Sequence, residues 1–329
     1  MSIHVSVSAG SRIHIALGDM GFASPRAFGG VGFMLDRAAA DVKLSCATAT
    51  SLEGASGLDR ACQAELATLL AALTEVGGKP FRAIIHGHAL QHVGLGTKTA
   101  LKLAIISAYR HLVGLPGGRT EQQLLSGRGG ASGIGIHGFF EGGVLWDGGS
   151  PAEEVNKLLP SSAKPATSPP ILMLRLPFPT SWQVGLYLPD SRLSHGSDER
   201  RFFEDNAPIA RSDALETMAL LHHGILPAFR LRCLELLASS LASISDTGFK
   251  QLEIERCGQN VIDLLGNLRA KGYAAGMSSM GPLVYVIFEA SDRNAIAELR
   301  ALSAIHNAQW LGHYNGLNRG ASVRRDELA

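Results

Sequence analysis

The segment HVGLGTKTA at residues 92–100 has the composition of a loop that binds phosphate. Gly94 and Gly96 permit a backbone that curls around an anion, while Lys98 and its two flanking threonines add a charge and hydroxyl donors. The apolar run that follows predicts a helix, whose first amide groups attract anions. The spacing is not that of a Walker loop. The segment therefore predicts a phosphate site of another kind, with a capped helix after a tight turn as the alternative.

Basic and hydroxyl residues also stand beside three further glycine clusters, and 22 of the 38 glycines fall within 10–32, 87–96, 127–149 and 272–281. Arginine binds phosphate or carboxylate through two hydrogen bonds, and serine donates one. Arginine and serine beside these glycines favour a single ligand site, although tight turns remain the alternative for any one cluster. The residues concerned are Arg12, His14, Asp19 and Arg26 near 28–32, Arg128 and Ser132 within 127–135, and Ser278 and Ser279 within 276–281.

Metal ligands are less clearly marked in the sequence. His86, His88 and His92 lack a carboxylate that would complete a site. Magnesium needs few protein ligands when substrate phosphates carry it, so Mg²⁺ is the expected cofactor. Asp147 and Glu199 are the candidate ligands.

Composition excludes several classes of protein. The 329 residues carry a net charge of +1 and are 46% hydrophobic, which predicts a folded chain with no general attraction to nucleic acid or to a membrane surface. There is no long apolar run and no signal-like start, and the four cysteines lack a metal-like spacing. We expect a cytoplasmic protein with free thiols, and a homodimer as the most ordinary assembly.

The elements that must position these residues form an α+β chain of two domains. The proline- and serine-rich stretch 160–170 is the best linker, which places the division between 1–165 and 166–329. In the first half, we predict strands at 3–9, 11–17, 31–47 and 81–90, helices at 58–76, 97–114 and 120–126, and a hairpin at 134–147. In the second half, we predict strands at 171–188, 282–289 and 308–314, with helices over most of 199–245 and at 259–270 and 291–303.

With these residues in view, the chain resembles the galacto-, homoserine, mevalonate and phosphomevalonate kinase (GHMP) superfamily. Residues 92–100 are similar to its phosphate loop, and residues 276–284 are similar to the glycine-serine motif of its second domain. The resemblance implies an N-terminal mixed-sheet domain that carries the phosphate loop and a ferredoxin-like α/β C-terminal domain. It also leaves an ATP-dependent small-molecule kinase as one reading, although kinases usually carry serines where this chain has Thr97-Lys98-Thr99.

Within the superfamily, residues 5–323 resemble the β-ribofuranosylaminobenzene 5′-phosphate synthase family of tetrahydromethanopterin biosynthesis. This second resemblance rests on 11–14, 28–32 with Asp36, 92–100, 127–129, 132–135, 143–149, 198–199, 276–282 and 318–321. It implies that 5-phosphoribosyl 1-diphosphate reacts with 4-aminobenzoate or 4-hydroxybenzoate, releasing CO₂ and pyrophosphate.

The two resemblances together suggest roles for the residues above. Arg12, His14, Asp19 and Lys98 are the catalytic candidates. The candidates for substrate binding are Arg26, Gly94, Gly96, Thr97, Thr99, Arg128, Ser132, Ser278 and Ser279. Because fold alone does not fix function, a protein that senses a ligand without converting it remains the alternative from a different functional class.

Overall fold

The computed structural model describes residues 2–161, 163, 170–191 and 196–328. Eight strands form the first sheet. Long antiparallel strands β1 and β2 lie at its centre, and their alternate residues, such as Val5 and Val7, are fully buried. The strands are β1 (Ser2–Asp19), β2 (Arg26–Cys46), β3 (Ser51–Glu53), β4 (Phe81–His88), β5 (Val144–Asp147), β6 (Ser150–Pro151), β7 (Leu172–Leu176) and β12 (Ser322–Leu328).

One strand crosses Gly10, where the sequence predicted a break between two strands. The pairing of β1 with β2 shifts register on both sides of Gly10, so the glycine marks a bulge inside a continuous strand. A Cβ atom at Gly10 would collide with the carbonyl oxygen of Leu35. The bulge bends β1, and Arg12 then donates its backbone N–H to the Leu95 carbonyl at 3.0 Å.

Four helices belong to this half of the chain. The Asp59 side chain caps α1 by accepting a hydrogen bond from the Cys62 amide, and α2 is buried along most of its length. The bounds are α1 (Arg60–Gly77), α2 (Thr97–Val113), α3 (Arg119–Ser126) and α4 (Ile134–Glu141), and a 3₁₀ turn spans Ala152–Glu154.

The predicted hairpin at 134–147 is wrong. Residues 134–141 form helix α4, and only Val144–Asp147 form a strand. The glycines that suggested a hairpin serve close packing instead, because a Cβ atom at Gly138 would collide with the Met34 sulfur. The helix buries Ile134, Ile136 and Phe139 and ends at Gly142.

The second sheet has four antiparallel strands in the order β11–β8–β10–β9. Numbered within this sheet in chain order, the strands run 4-1-3-2, the order of a ferredoxin-like sheet, as the resemblance implied. The strands are β8 (Trp182–Pro189), β9 (Ala274–Met277), β10 (Val284–Glu289) and β11 (Ala308–Asn315).

Helices fill the rest of this half. They are α5 (Gly196–Asn206), α6 (Arg211–Leu220), α7 (Leu226–Leu231), α8 (Leu234–Ser245), α9 (Gly248–Cys257), α10 (Gln259–Ala270) and α11 (Ala295–Ile305), with a π-helical turn at Leu221–Ile225. None of the described helices combines the length and the apolar character needed to cross a bilayer. The four cysteines, all described, are free thiols.

The chain returns to the first sheet at its end. The predicted last strand, 308–314, is confirmed as β11, but a further strand, β12, was missed. It pairs with β1, and β7 likewise pairs with β5, so two strands from the second half complete the first sheet. Most of the predicted linker (162 and 164–169) lies outside the described residues, and the division at 165/166 stays a prediction.

An aromatic cluster joins the two sheets. Phe33 on β2 lies 5.2 Å from Phe178 and 5.7 Å from Tyr285 on β10, measured between ring centroids, and Trp182 on β8 packs against Phe178 at 6.2 Å. These rings are fully buried and belong to one core. The shared core fixes loops of the second sheet against loops of the first.

Candidate active site

A cleft lies where β1, the N-terminus of α2, the 128–133 loop, α5 and the 278–281 loop meet. Eleven of the predicted site residues line it, from positions far apart in the chain. They are Arg12, His14, Gly94, Gly96, Thr97, Lys98, Thr99, Arg128, Ser132, Glu199 and Ser279.

The phosphate loop has the backbone its glycines suggested. Gly94 and Gly96 have φ values of +97° and +74°, and α2 begins at the next residue. The Thr97 hydroxyl donates to the Leu90 carbonyl at 2.8 Å and closes the loop. The loop therefore turns the first amide groups of α2 toward the cleft, where they attract anions.

Two arginines bring positive charge to the same cleft. Arg128 donates to the Thr99 hydroxyl and to the Ser161 carbonyl, both at 3.1 Å, while an Arg12 amino group donates to the Gly94 carbonyl at 3.3 Å. The buried Nε of Arg12 has no hydrogen-bond partner among the described residues.

Electrostatics of the two arginines favours an anion between them. Burial, together with the charge of Arg128, lowers the pKa of Arg12 to about 10. Burial also lowers the pKa of Arg128. Two half-buried like charges repel each other, and a bound anion relieves both that repulsion and the partial desolvation of the guanidinium groups.

Lys98 lines the cleft and forms an ion pair with a carboxylate. Its ammonium group lies 2.9 Å from Glu65 on α1, and Lys102 contacts the other oxygen of Glu65 at 2.9 Å. Glu65 thereby holds Lys98 beside the loop.

His14 is enclosed by two serine hydroxyls. Its Nδ1 lies 2.8 Å from the Ser279 hydroxyl, and its Nε2 lies 2.9 Å from the Ser132 hydroxyl. Burial, followed by the charges of Arg12 and Lys250, holds the pKa of His14 well below its ordinary value. The ring is therefore neutral, and protein groups occupy both of its nitrogens.

Ser278 ties the two loops together instead of lining the cleft. Its hydroxyl donates to the Gly94 carbonyl at 2.7 Å and accepts from the His14 backbone N–H at 3.1 Å. A Cβ atom at Gly94 would lie 2.9 Å from the Ser278 Cβ. The close approach explains the glycine at position 94.

Three further predicted residues, like Ser278, do not line the cleft. Asp19 accepts hydrogen bonds from the amides of Gly21, Ala23 and Ser24. Arg26 donates to the carbonyls of Gly148 and Gly149, both at 2.6 Å. As placed, both side chains satisfy the backbone of glycine turns. Arg26 lines a second, largely apolar cavity beside Trp146 and Met173.

The third of these is Asp147, a predicted metal ligand. It accepts from the amides of Gly133 and Gly149, and burial raises its pKa to about 6. Asp147 lines the second cavity while Glu199 lines the cleft, so the two do not share a site. Among the described residues there is no group of three or more His, Cys, Asp or Glu side chains that would hold a metal. Of the two predicted metal ligands, Glu199 is therefore the one that lines the cleft.

Sequence reasoning missed a buried ion pair behind the cleft. Lys250 and Glu253 on α9 lie 2.5 Å apart, and Lys250 donates to the Ser279 hydroxyl at 3.0 Å. The only signal was their spacing, which places them on one helix face with the apolar Phe249 and Ile254. Charged residues on an apolar face are unusual unless they are paired.

Two curated relatives extend over most of the chain. It is 34% identical over 287 residues to the β-ribofuranosylphenol 5′-phosphate synthase of Archaeoglobus fulgidus, covering 87% of each chain. The enzyme of the same name from Methanothermobacter thermautotrophicus is 29% identical over 334 residues, covering 98% of this chain and 99% of the relative. No family model matches the chain.

Solved structures share the fold at low identity. A homoserine kinase from Cytophaga hutchinsonii has a TM-score of 0.70 and 16% identity, and the match covers 98% of this chain and 97% of that one. A mevalonate diphosphate decarboxylase from Enterococcus faecalis has a TM-score of 0.63 and 13% identity, over 99% and 100% of the two chains. The predicted GHMP-type α+β fold is confirmed.

Proposed function

The chain belongs to the family of the β-ribofuranosylphenol 5′-phosphate synthases, and we propose that it joins 5-phosphoribosyl 1-diphosphate to an aromatic acid. The product is a β-ribofuranosyl aryl 5′-phosphate, and CO₂ and pyrophosphate are released. The step belongs to tetrahydromethanopterin biosynthesis. The relatives' name favours 4-hydroxybenzoate, which would give the phenol, over 4-aminobenzoate.

One observation carries the proposal: two half-buried arginines and the start of α2 converge on a single cleft. Arg12 keeps a buried Nε without a partner among the described residues, and Arg128 is oriented by Thr99 and Ser161. A sugar diphosphate with a 5-phosphate carries several negative charges, which such a cleft would bind locally although the chain's net charge is only +1.

The proposed reaction balances without a proton from the protein. The ring carbon that bears the carboxylate attacks C1 of the ribose, and the bond from C1 to the diphosphate oxygen breaks with its electron pair on pyrophosphate. The bond from the ring carbon to the carboxylate then breaks, its electrons return to the ring, and CO₂ leaves. Catalysis therefore depends on positioning and on stabilising the leaving diphosphate.

The described groups fit these needs. The α2 amides, Arg12 and Lys98 would stabilise charge on the departing pyrophosphate, and Arg128 would hold the 5-phosphate or the carboxylate. Because both nitrogens of His14 bond to serine hydroxyls, the ring would act as a neutral wall of the cleft and not as an acid or base. Asp19 and Arg26 would support the turns on which they lie.

Magnesium remains part of the proposal. Glu199 is the cleft carboxylate that would touch a metal carried by the diphosphate, and the metal would supply further charge for the leaving group.

Product analysis tests the function. The protein would be incubated with Mg²⁺, phosphoribosyl diphosphate and carboxyl-labelled 4-hydroxybenzoate or 4-aminobenzoate. We expect equal amounts of labelled CO₂ and pyrophosphate, with the faster acid identifying the substrate. Parallel reactions with ATP and small alcohols test the kinase alternative. ADP formation there, with no CO₂ from either acid, would contradict the proposal, and tight binding without turnover would favour a sensor.

A further inference from the structure

The Lys250–Glu253 ion pair lies behind the cleft and forms hydrogen bonds with the 277–280 loop. Both side chains are almost completely buried, with exposed fractions of 2% and 1%. Lys250 donates to the Met277 carbonyl at 3.3 Å and to the Ser279 hydroxyl at 3.0 Å, and Glu253 accepts from the Met280 amide at 3.0 Å. The pair therefore holds three successive parts of the loop that faces His14.

The chemistry of Lys250 sets the direction of the first hydrogen bonds. An ammonium group has three protons and no acceptor, and Lys250 has three acceptors: Glu253, Met277 and Ser279. The Ser279 oxygen must accept from Lys250. Its single proton then points to its other partner, Nδ1 of His14, at 2.8 Å.

The direction continues through His14. Because Nδ1 accepts, the ring proton of the neutral imidazole is on Nε2, which donates to the Ser132 hydroxyl at 2.9 Å. Ser132 also accepts from the Ile134 amide at 3.2 Å, and its own proton goes to the Asp147 carboxylate. Every proton in the row from Lys250 to Asp147 then has one acceptor.

We propose that Lys250 is a positioning residue of the candidate active site, which acts through Ser279 to fix His14 as the Nε2–H tautomer with its ring held against the cleft. For its kinetic consequence the inference rests on the proposed function. Arg12 lies two residues before His14 on β1, so an unanchored ring would disturb the anion site. The effect should fall on KM for phosphoribosyl diphosphate more than on kcat.

Nitrogen NMR of the protein without substrate tests the tautomer directly. In protein labelled with ¹⁵N-histidine, H14Q identifies the His14 signals by their loss. Wild type and S279T, which keeps the hydroxyl, should show Nε2 protonated and Nδ1 as an acceptor. S279A removes the link but keeps the ion pair, and K250M/E253Q removes both buried charges together. Each of these two should show a second population with Nδ1 protonated.

Two outcomes would overturn the inference. One is a wild-type spectrum with the proton on Nδ1, and the other is an S279A spectrum identical to that of wild type. Kinetically, S279A should raise KM for phosphoribosyl diphosphate roughly tenfold over S279T with kcat little changed, and an unchanged KM would also count against it. Since the spectra need no turnover, failure of the proposed function would leave the NMR result intact and remove only the kinetic one.

Discussion

At the scale of single residues, the partners of His14 matter more than its type. The sequence placed Arg12 and His14 on one strand face, and both do line the cleft. What the ring can do depends on Ser132 and Ser279, which lie 118 and 265 positions away. No local pattern in the sequence reveals contacts of that range, so the prediction of a catalytic His14 had no means of testing whether its nitrogens were free.

The depressed pKa of His14 predicts a pH dependence of stability. In the unfolded chain the imidazole binds a proton near pH 6.5, whereas in the folded protein it binds one only at much lower pH. Below pH 6.5 the unfolded state therefore holds more protons, so the free energy of unfolding decreases as the pH is lowered, with a slope approaching about 1.4 kcal/mol per pH unit for this one proton. H14Q should flatten this slope, as measured by urea unfolding at several pH values between 5 and 8.

Asp147 changes the stability with pH in the opposite direction to His14, which provides an internal check on the H14Q measurement. Its folded pKa of about 6 exceeds the ordinary value of 3.8, so protonation below pH 6 favours the folded state. With His14 replaced, the remaining curve should level off or rise slightly as pH falls from 6 to 5. A slope in H14Q equal to that of wild type would contradict the assignment of the wild-type slope to His14.

Arg128 gives the second prediction at this scale. Lysine keeps the charge but cannot bond Thr99 and Ser161 while also facing an anion. We expect R128K to raise KM for phosphoribosyl diphosphate by roughly 10- to 150-fold, which corresponds to about 1.5–3 kcal/mol for a charged hydrogen bond. Steady-state kinetics at saturating aromatic acid measures it. R119K, at an exposed arginine paired with Glu141, is the matched control and should leave KM unchanged.

At the scale of elements, the phosphate loop and α2 form one unit. Gly94 combines a positive φ with close approach to Ser278, so G94A would strain the backbone and push the loop from its neighbour. We expect a loss of about 1–3 kcal/mol in unfolding free energy and weaker binding of pyrophosphate. Denaturation and calorimetry measure the two effects.

Gly87 on β4 supplies the control for that substitution. No described atom lies within 4 Å of a Cβ atom built there, and its φ is not left-handed. G87A should bind pyrophosphate as wild type does. Equal behaviour of G94A and G87A would mean that the loop backbone has no role in binding the anion.

Elements with a local signal were predictable, and elements that depend on distant partners were not. The loop and helix at 92–113 follow from glycines and apolar periodicity within one segment. Helix α4 was mistaken for a hairpin because one of its glycines, Gly138, serves close contact with Met34 on β2. Strand β12, SVRRDEL, has a largely charged sequence and lies at a sheet edge, where residues 322–325 are exposed, so it has almost no alternation to detect.

The same reasoning explains the predicted site residues outside the cleft. Asp19, Arg26 and Asp147 were noticed because they stand near glycine clusters. A tight glycine turn exposes amides and carbonyls that also need partners, and these side chains supply them. Proximity to glycine thus marks both ligand sites and the supports of turns, and only the folded arrangement separates them.

At the scale of the whole molecule, the cleft exists because two sheets share one core. Ser278, from the second sheet's loop, bonds both the Gly94 carbonyl and the His14 amide of the first half. S278A leaves the buried His14 amide without its partner and removes one of the two hydrogen bonds to the Gly94 carbonyl, which should cost about 1–3 kcal/mol of unfolding free energy and weaken binding of phosphoribosyl diphosphate.

Chemical denaturation and a binding titration check this prediction. S239A, at an exposed serine on α8 that bonds only within its helix, is the control and should change neither quantity. Wild-type affinity and stability in S278A would show that the two loops hold their positions without the bridge. The expected homodimer stays a prediction that sedimentation of the same samples can test.

The pairing of β1 with β12 also orders events during synthesis. Ser8 lies opposite Ser322, and Ile3 lies opposite Glu327. One side of β1 therefore stays unpaired until the ribosome has synthesised β12, some 300 residues later. Until then the β1 strand that carries Arg12 and His14 has an open edge on the ribosome. A nascent chain stopped before position 322 should therefore depend on chaperones to keep that edge from pairing with another chain.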